Sequence, residues 1–271
     1  MTKSPLSLAH YDHVSLYEAG FKSRRTDVAF FVELAQASGG PVLEYGAGAG
    51  RVTLPLIRAG LETVAVDKSP AMLRRLRERA QTLTNDERAL LSIKRGDMRR
   101  MRVHARFPLV LATFNVVAHL ATFRDFAAFL KRAQEHLQPG GQLVFDVPIP
   151  HPSEVEAEAD ELFVVPRFKH PDTKQWVHQT ERFEYNPLTQ ALLVESTLRA
   201  AGSPDALVVP LILRQWFPKE IEAILYYEGF KKVEMWADYT TNPAVLAEDT
   251  LVFAATKAGT RRSSKRSRNS P

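Results

Sequence analysis

The sequence predicts a doubly wound α/β protein. Its sheet is mostly parallel and seven-stranded, with an antiparallel β insertion forming a cap. Three observations predict it. Short apolar runs alternate with helix-period segments from Thr26 to Pro148. Those runs are continuously apolar rather than alternating, as parallel strands covered on both faces are. Between Pro148 and Arg214 the pattern changes to period two, with turn signals in place of long helices.

The elements follow in order. Val28, Phe31, Leu34 and Ala35 place one apolar face on a helix over 26–38, which Gly39-Gly40-Pro41 stops. A strand at PVLEYG leads through a glycine-rich turn into the helix RVTLPLIRAG. There Pro55 sits near the first turn, where a missing N–H costs little, and Gly60 caps the end. The strand 62–67 precedes a helix over 69–80 with Ser69 as N-cap and Pro70 at its first position. Strands at 90–97 and 107–115 follow. A helix over 122–141 opens at Thr122 and stops at Pro-Gly-Gly, and a strand spans 142–148.

After Pro148, Pro150 and Pro152, four segments read as antiparallel strands: LFVVPRFKH, KQWVHQTERFEYN, QALLVESTLRAA and ALVVPLILRQWF. A helix over 218–230 and strands at KVEMWADY and EDTLVFAATK complete the sheet. The expected organisation is an N-terminal segment 1–25, an α/β domain from 26–148 and 214–257, an insertion 149–213 capping the sheet's binding crevice, and a tail 258–271.

Composition narrows the function. The chain has 271 residues and no cysteine, which excludes disulfides, thiolate metal sites and cysteine nucleophiles. The net charge of +5 is carried by Arg261, Arg262, Lys265, Arg266 and Arg268, so the body is neutral. A neutral body lacks the basic footprint of a nucleic-acid reader. The Ser- and Arg-rich tail reads as disordered. No leader-like apolar run opens the chain, and no stretch has the ~18 apolar residues of a membrane span, so a soluble cytoplasmic protein is expected, monomer or homodimer.

The informative segment is Glu44-Tyr45-Gly46-Ala47-Gly48-Ala49-Gly50, between a strand and a helix. In such sheets ligands bind at the carboxyl ends of the strands. Asp67, 23 residues after Glu44, ends the second strand, where a carboxylate accepts from both ribose hydroxyls. The loop reads G-x-G-x-G, with Arg51 where a dinucleotide fingerprint wants its third glycine. Glu44 would repel a pyrophosphate and suits a cofactor carrying ammonium or sulfonium. No Gly-Lys-Ser/Thr follows.

These residues resemble the first motif of class I S-adenosylmethionine-dependent methyltransferases, a Rossmann-like family. The resemblance continues through Val64-Ala65-Val66-Asp67-Lys68-Ser69, Arg95-Gly96-Asp97-Met98, Ala112-Thr113-Phe114-Asn115 and Leu137-Gln138-Pro139-Gly140-Gly141. It implies S-adenosylmethionine as cofactor. Gly46, Ala47 and Gly48 would run under its methionine part, and Glu44 would support that loop or the ammonium. Asp67 would take the ribose and Lys68 would flank the adenine. Asp97 would accept from the adenine amino group beside the Met98 N–H, and Phe114 would offer its backbone to the ammonium. A turn carboxylate is the plainer reading of Asp97.

His119 resembles a histidine of small-molecule N-methyltransferases, including those that dimethylate amino sugars. It is a candidate base or substrate ligand, or else a helix cap. Phe114-Asn115-Val116-Val117 lacks the Asn/Asp-Pro-Pro-Tyr/Phe pattern of methylases acting on base or glutamine amides. Tyr17 and Tyr11 are candidate lid residues, Tyr17 over the cofactor and Tyr11 toward the substrate. Asn115, Trp176, His178 and Arg214 are candidates for the substrate wall, although strand aromatics and cations also serve sheet packing. The implied reaction is methyl transfer to an N or O nucleophile of a small molecule, amine favoured. The alternatives are an RNA or protein methyltransferase using the basic tail, and a non-catalytic subunit of the same fold.

Overall fold

The computed structural model describes residues 11–20, 26–158, 160–244 and 250–259. Helix α1 (Val14–Gly20) and α2 (Thr26–Ser38) precede β1 (Val42–Tyr45), α3 (Thr53–Arg58), β2 (Thr63–Asp67), α4 (Pro70–Ala80), α5 (Asn85–Ala89), β3 (Leu91–Arg95) and β4 (Phe107–Ala112). A 3-10 turn (Val116–His119) leads to α6 (Phe123–His136), β5 (Leu137–Pro148) and α7 (Pro152–Val155). Then come β6 (Phe163–Lys169), β7 (Trp176–Asn186), β8 (Ala191–Ala200), β9 (Leu207–Arg214), α8 (Pro218–Tyr227), β10 (Lys232–Ala237) and β11 (Thr250–Thr256).

Seven strands form one sheet in the order β10-β11-β5-β4-β1-β2-β3. The ladders from β3 to β5 are parallel, and β11 runs antiparallel to both β5 and β10. The order reverses between β1 and β4, so a crevice opens where their carboxyl ends part. Both faces of the sheet are covered. Tyr45, Phe126, Phe129, Phe145, Phe253 and Trp216 fill one side. Phe31, Val42, Leu109, Val144 and Val252 fill the other, beside a patch of Leu54, Ile57, Leu73 and Leu76. The continuous apolar runs of the sequence are therefore strands buried on both faces.

The caps form as their sequences dictate. Ser69 Oγ accepts from Met72 N at 3.2 Å, and Thr122 Oγ1 from Asp125 N at 3.1 Å. A capping box of Thr84 and Glu87 starts α5, a helix the sequence reading overlooked.

Several boundaries differ from expectation, and two have a clear physical cause. The helix expected over 122–141 ends at His136, and Leu137 to Gly141 already belong to β5. Lys257 Nζ donates to the carbonyls of Gln134 and Leu137 at 2.6 and 2.7 Å, satisfying the helix end from a distant strand. The strand expected to reach Asn115 stops at Ala112, because Phe114 and Asn115 adopt left-handed conformations with φ of 64° and 59°.

The insertion forms a separate antiparallel sheet, β6-β7-β8-β9. The basic tail's charged residues lie outside the described residues. Among the described residues, no helix is long and apolar enough to cross a membrane.

Candidate functional site

A cavity lies at the carboxyl ends of β1, β2 and β4 and beyond the end of β3. It is lined by Gly46, Gly48, Asp67, Lys68, Asp97, Met98, Phe114, Tyr11, Tyr17 and His119, all singled out in the sequence. Reading by motif missed further lining residues, among them Tyr45, Ser69, Met72, Arg99, Thr113 and Val116.

The glycine loop is shaped by its neighbours. Gly46 has φ of 69°, and a Cβ there would stand 2.2 Å from Val116 Cγ2. Only glycine permits both the left-handed backbone and the approach of the 3-10 turn. Gly48, also left-handed, faces open space, its nearest neighbours being Gly46 O at 3.9 Å and Met72 Sδ at 4.0 Å. The Gly48 N–H donates to Asp67 Oδ2 at 2.8 Å, and Ser69 N–H donates to Oδ1 at 2.7 Å. Asp67 thus ties the tip of β2 to the loop after β1. Burial raises its carboxyl above the ordinary value against the pull of these N–H groups.

Glu44 is fully buried beneath the loop, where Thr53 Oγ1 donates to it at 2.5 Å and Thr113 Oγ1 at 3.4 Å. Burial pushes it up to about 7, despite these bonds and the nearby Arg51. Ala47 is buried and donates its N–H to the Val66 carbonyl, so it braces the loop rather than facing this cavity.

Asp97 is gripped by Arg99, whose Nη2 and Nε donate at 2.6 and 2.9 Å. Arg99 N–H donates to the same carboxylate at 2.9 Å, and Arg99 also reaches Asp125. The guanidinium holds Asp97 down at about 2, so it is a fixed anion on the cavity wall. Asp97 is therefore both a turn carboxylate and a cavity residue.

Four rings form a wall. His119 and Tyr11 meet edge to face at 5.5 Å, Tyr11 and Tyr17 at 5.4 Å, and Tyr17 and Phe114 at 6.4 Å. The Arg51 guanidinium lies 4.4 Å over the Phe114 ring while its nitrogens grip buried Asp27 at 2.8 and 2.5 Å. Tyr11 hydroxyl and His119 Nε2 are 2.7 Å apart, and burial keeps that phenol protonated far above neutral pH.

Asn115 uses its backbone N–H on Asp146 Oδ1 at 3.0 Å, and Tyr239 hydroxyl donates to Oδ2 at 2.7 Å. Burial raises this carboxyl to about 6. Its bonds hold the left-handed pair Phe114–Asn115 in place. Asp146 was not legible as a site residue, since it lies within β5 and its partners Asn115 and Tyr239 come from distant segments.

The expected substrate wall is not assembled as read. In β7, Val177 and Phe183 are buried, whereas Trp176 and His178 share the more exposed face. Arg167 and Lys169 cover the Trp176 ring at 4.5 and 5.4 Å. Arg214 is buried, pairs with Glu220 at 3.2 Å and lies 4.3 Å over Trp216, whose Nε1 donates to the Leu120 carbonyl at 3.2 Å. It joins the end of β9 to α8. Trp176, His178, Arg214 and Asn115 do not line the cavity. Period two shows that two faces exist, but which face turns inward is set by tertiary packing.

The cavity chemistry fits the cofactor the motifs imply. Carboxylates stand at the tips of β2 and β3 for hydroxyl and amino donors, and an acid lies beneath a glycine loop open above Gly48. Residues 42–141 match the family described as "Methyltransferase domain". Over 142 residues the chain is 25% identical to the dTDP-3-amino-3,4,6-trideoxy-alpha-D-glucopyranose N,N-dimethyltransferase of Streptomyces venezuelae, covering 50% of this chain and 56% of that protein. The chain thus spans little more than half the length of that relative. The structure resembles the CcbJ methyltransferase from Streptomyces caelestis, with a TM-score of 0.78 and 24% identity over 95% of this chain and 100% of that one. It resembles DesVI from Streptomyces venezuelae at 0.68 and 19%, covering 93% and 100%. It also resembles SAM-bound CalS10, an amino pentose methyltransferase from Micromonospora echinaspora, at 0.69 and 19%, covering 90% and 97%. Residues 42–141 thus match a methyltransferase-domain family, and the chain shares the fold of solved S-adenosylmethionine-dependent methyltransferases.

Proposed function

We propose that the chain transfers a methyl group from S-adenosylmethionine to an amine of a small molecule of the amino-sugar class. The observation carrying this reading is the convergence on one cavity of the glycine loop, Asp67, Asp97 and the Tyr11–His119 pair. When bound, the cofactor supplies an electrophilic methyl on a sulfonium, open to in-line displacement.

The chain's own part is alignment and exclusion of water. Asp67 accepts from the ribose hydroxyls and Asp97 from the adenine amino group, beside the Met98 N–H and the Lys68 stem. Gly46, Gly48 and the Phe114 backbone flank the methionine part. Ala47 braces that loop from behind, and Glu44 balances its ammonium from below. Tyr17 closes the outer side. His119 Nε2 first exchanges its Tyr11 contact for the substrate and then receives the proton of an amine that arrives as ammonium, leaving the free amine to attack the methyl. The β6–β9 insertion acts as the substrate cap. An amine is favoured over a hydroxyl because the Streptomyces venezuelae relative is named for dimethylating an amino sugar at nitrogen.

Calorimetric titration with S-adenosylmethionine, followed by methyl uptake on a panel of amino sugars, other amines and phenols, tests this. We expect affinity to fall about 100-fold in Asp67→Ala, through lost charge-assisted hydrogen bonds. Unchanged affinity would show the ribose is held elsewhere.

A further inference from the structure

The helix carrying Tyr17 is weakly anchored by burial. None of the seven residues of α1 is buried, and the helix rests on α4 and β6. Among the described residues, Glu18, beside Tyr17, attaches it to α4. Oε2 of Glu18 accepts from Arg75 Nε at 2.7 Å, and Oε1 from Arg79 Nη1 at 3.2 Å. Arg75 and Arg79 stand four residues apart on α4, hence on one face. Arg75 is shared with Glu78 of its own helix at 3.3 Å. Arg79 instead sends the same Nη1 to the Ala49 carbonyl at 2.9 Å. Ala49 belongs to the glycine loop, so one guanidinium nitrogen joins the Tyr17 helix to the loop beneath it.

We propose that Arg79 is a positioning residue for the cofactor: with Glu18 and Arg75 it latches α1 over the site, and through Ala49 it sets the glycine loop in the same act. This rests on the cofactor reading above. Partly exposed ion pairs shift an equilibrium only several-fold. That is too little to hold a core together, but enough to set the occupancy of a short helix with no buried side chain. The Ala49 bond adds a coupling that a surface pair alone lacks: the loop peptide and the lid share one donor, so loosening either loosens both.

The test is the release rate of S-adenosylhomocysteine from the full-length chain, followed by stopped-flow tyrosine fluorescence, with affinity from calorimetry. We expect release to speed up about fivefold in Glu18→Gln, and more in Arg79→Gln, which also frees the Ala49 carbonyl. Affinity falls by matching factors. In the double variant the combined effect is smaller than the product of the two. High salt speeds release from the wild type but not from Glu18→Gln. Release unaltered by Glu18→Gln, at any salt, would overturn the latch, as would independent multiplicative effects. A lowered melting temperature with unaltered release would likewise mark Glu18 as structural only. A wild-type chain that binds neither S-adenosylhomocysteine nor S-adenosylmethionine would instead overturn the proposed function, a distinct result.

Discussion

The Tyr11 hydroxyl and His119 Nε2 meet at 2.7 Å across 108 residues of sequence. The contact joins the N-terminal segment to the 3-10 turn after β4, so each of these two neighbouring rings of the cavity wall orients the other. His119→Ala is expected to lower methyl uptake on a responsive amine about 100-fold, while S-adenosylmethionine affinity stays within about twofold. Tyr11→Phe should fall between and alter the pH profile. Initial rates with labelled cofactor across pH decide it, and full turnover at every pH in His119→Ala would remove the proton-transfer role.

Gly46 and Val116 predict a steric result. Gly46→Ala places a Cβ 2.2 Å from a Val116 methyl at a backbone φ of 69°. Together the clash and the strain should cost about 2–4 kcal/mol of stability. Gly46→Ala with Val116→Ala should regain much of the steric part, since of the three nearest atoms only Val116 Cβ, at 3.1 Å, remains, and keep the conformational part. Urea unfolding of the three variants measures this, and a silent Gly46→Ala would contradict the loop conformation.

Glu44 predicts proton release. Burial raises its carboxyl to about 7, above the ordinary 4.5. The sign follows from linkage: its contribution to stability is fully present below about 4.5 and is lost as pH rises through about 7. A cationic ligand placed above it lowers that value, so binding near neutral pH should expel a fraction of a proton. Calorimetry in buffers of different ionisation enthalpy counts the proton, and Glu44→Gln should abolish the release.

Arg214 separates a structural role from a substrate one. Its buried guanidinium joins β9 to Glu220 on α8 and covers Trp216. Arg214→Met should cost about 2 kcal/mol of stability and leave cofactor affinity unchanged. Thermal unfolding beside calorimetry tests this. A stable variant with impaired methyl uptake would return Arg214 to the substrate wall.

Much was legible in the sequence because local chemistry dictates it. Ser69 and Thr122 cap helices by hydrogen bonds three residues away, and Gly46 and Gly48 allow a turn no other residue forms as easily. Asp67 was readable because a residue that ends a strand beside the first strand points into the crevice. The end of α6 was not readable, because Lys257, 120 residues beyond Leu137, satisfies the carbonyls there. The left-handed bend at Phe114 and Asn115 was equally hidden, since it depends on Asp146 arriving from β5 and Tyr239 from the turn after β10.

What the sequence determined by itself was the order of strands and helices, the glycine loop and the acids at the strand tips, since periodicity, capping and backbone freedom act within a few residues. Tertiary structure alone decided which face of the insertion is buried, that Arg214 pairs with Glu220, and that Tyr11 meets His119. Those outcomes depend on which surfaces exclude water from one another, and that is set between segments rather than within them.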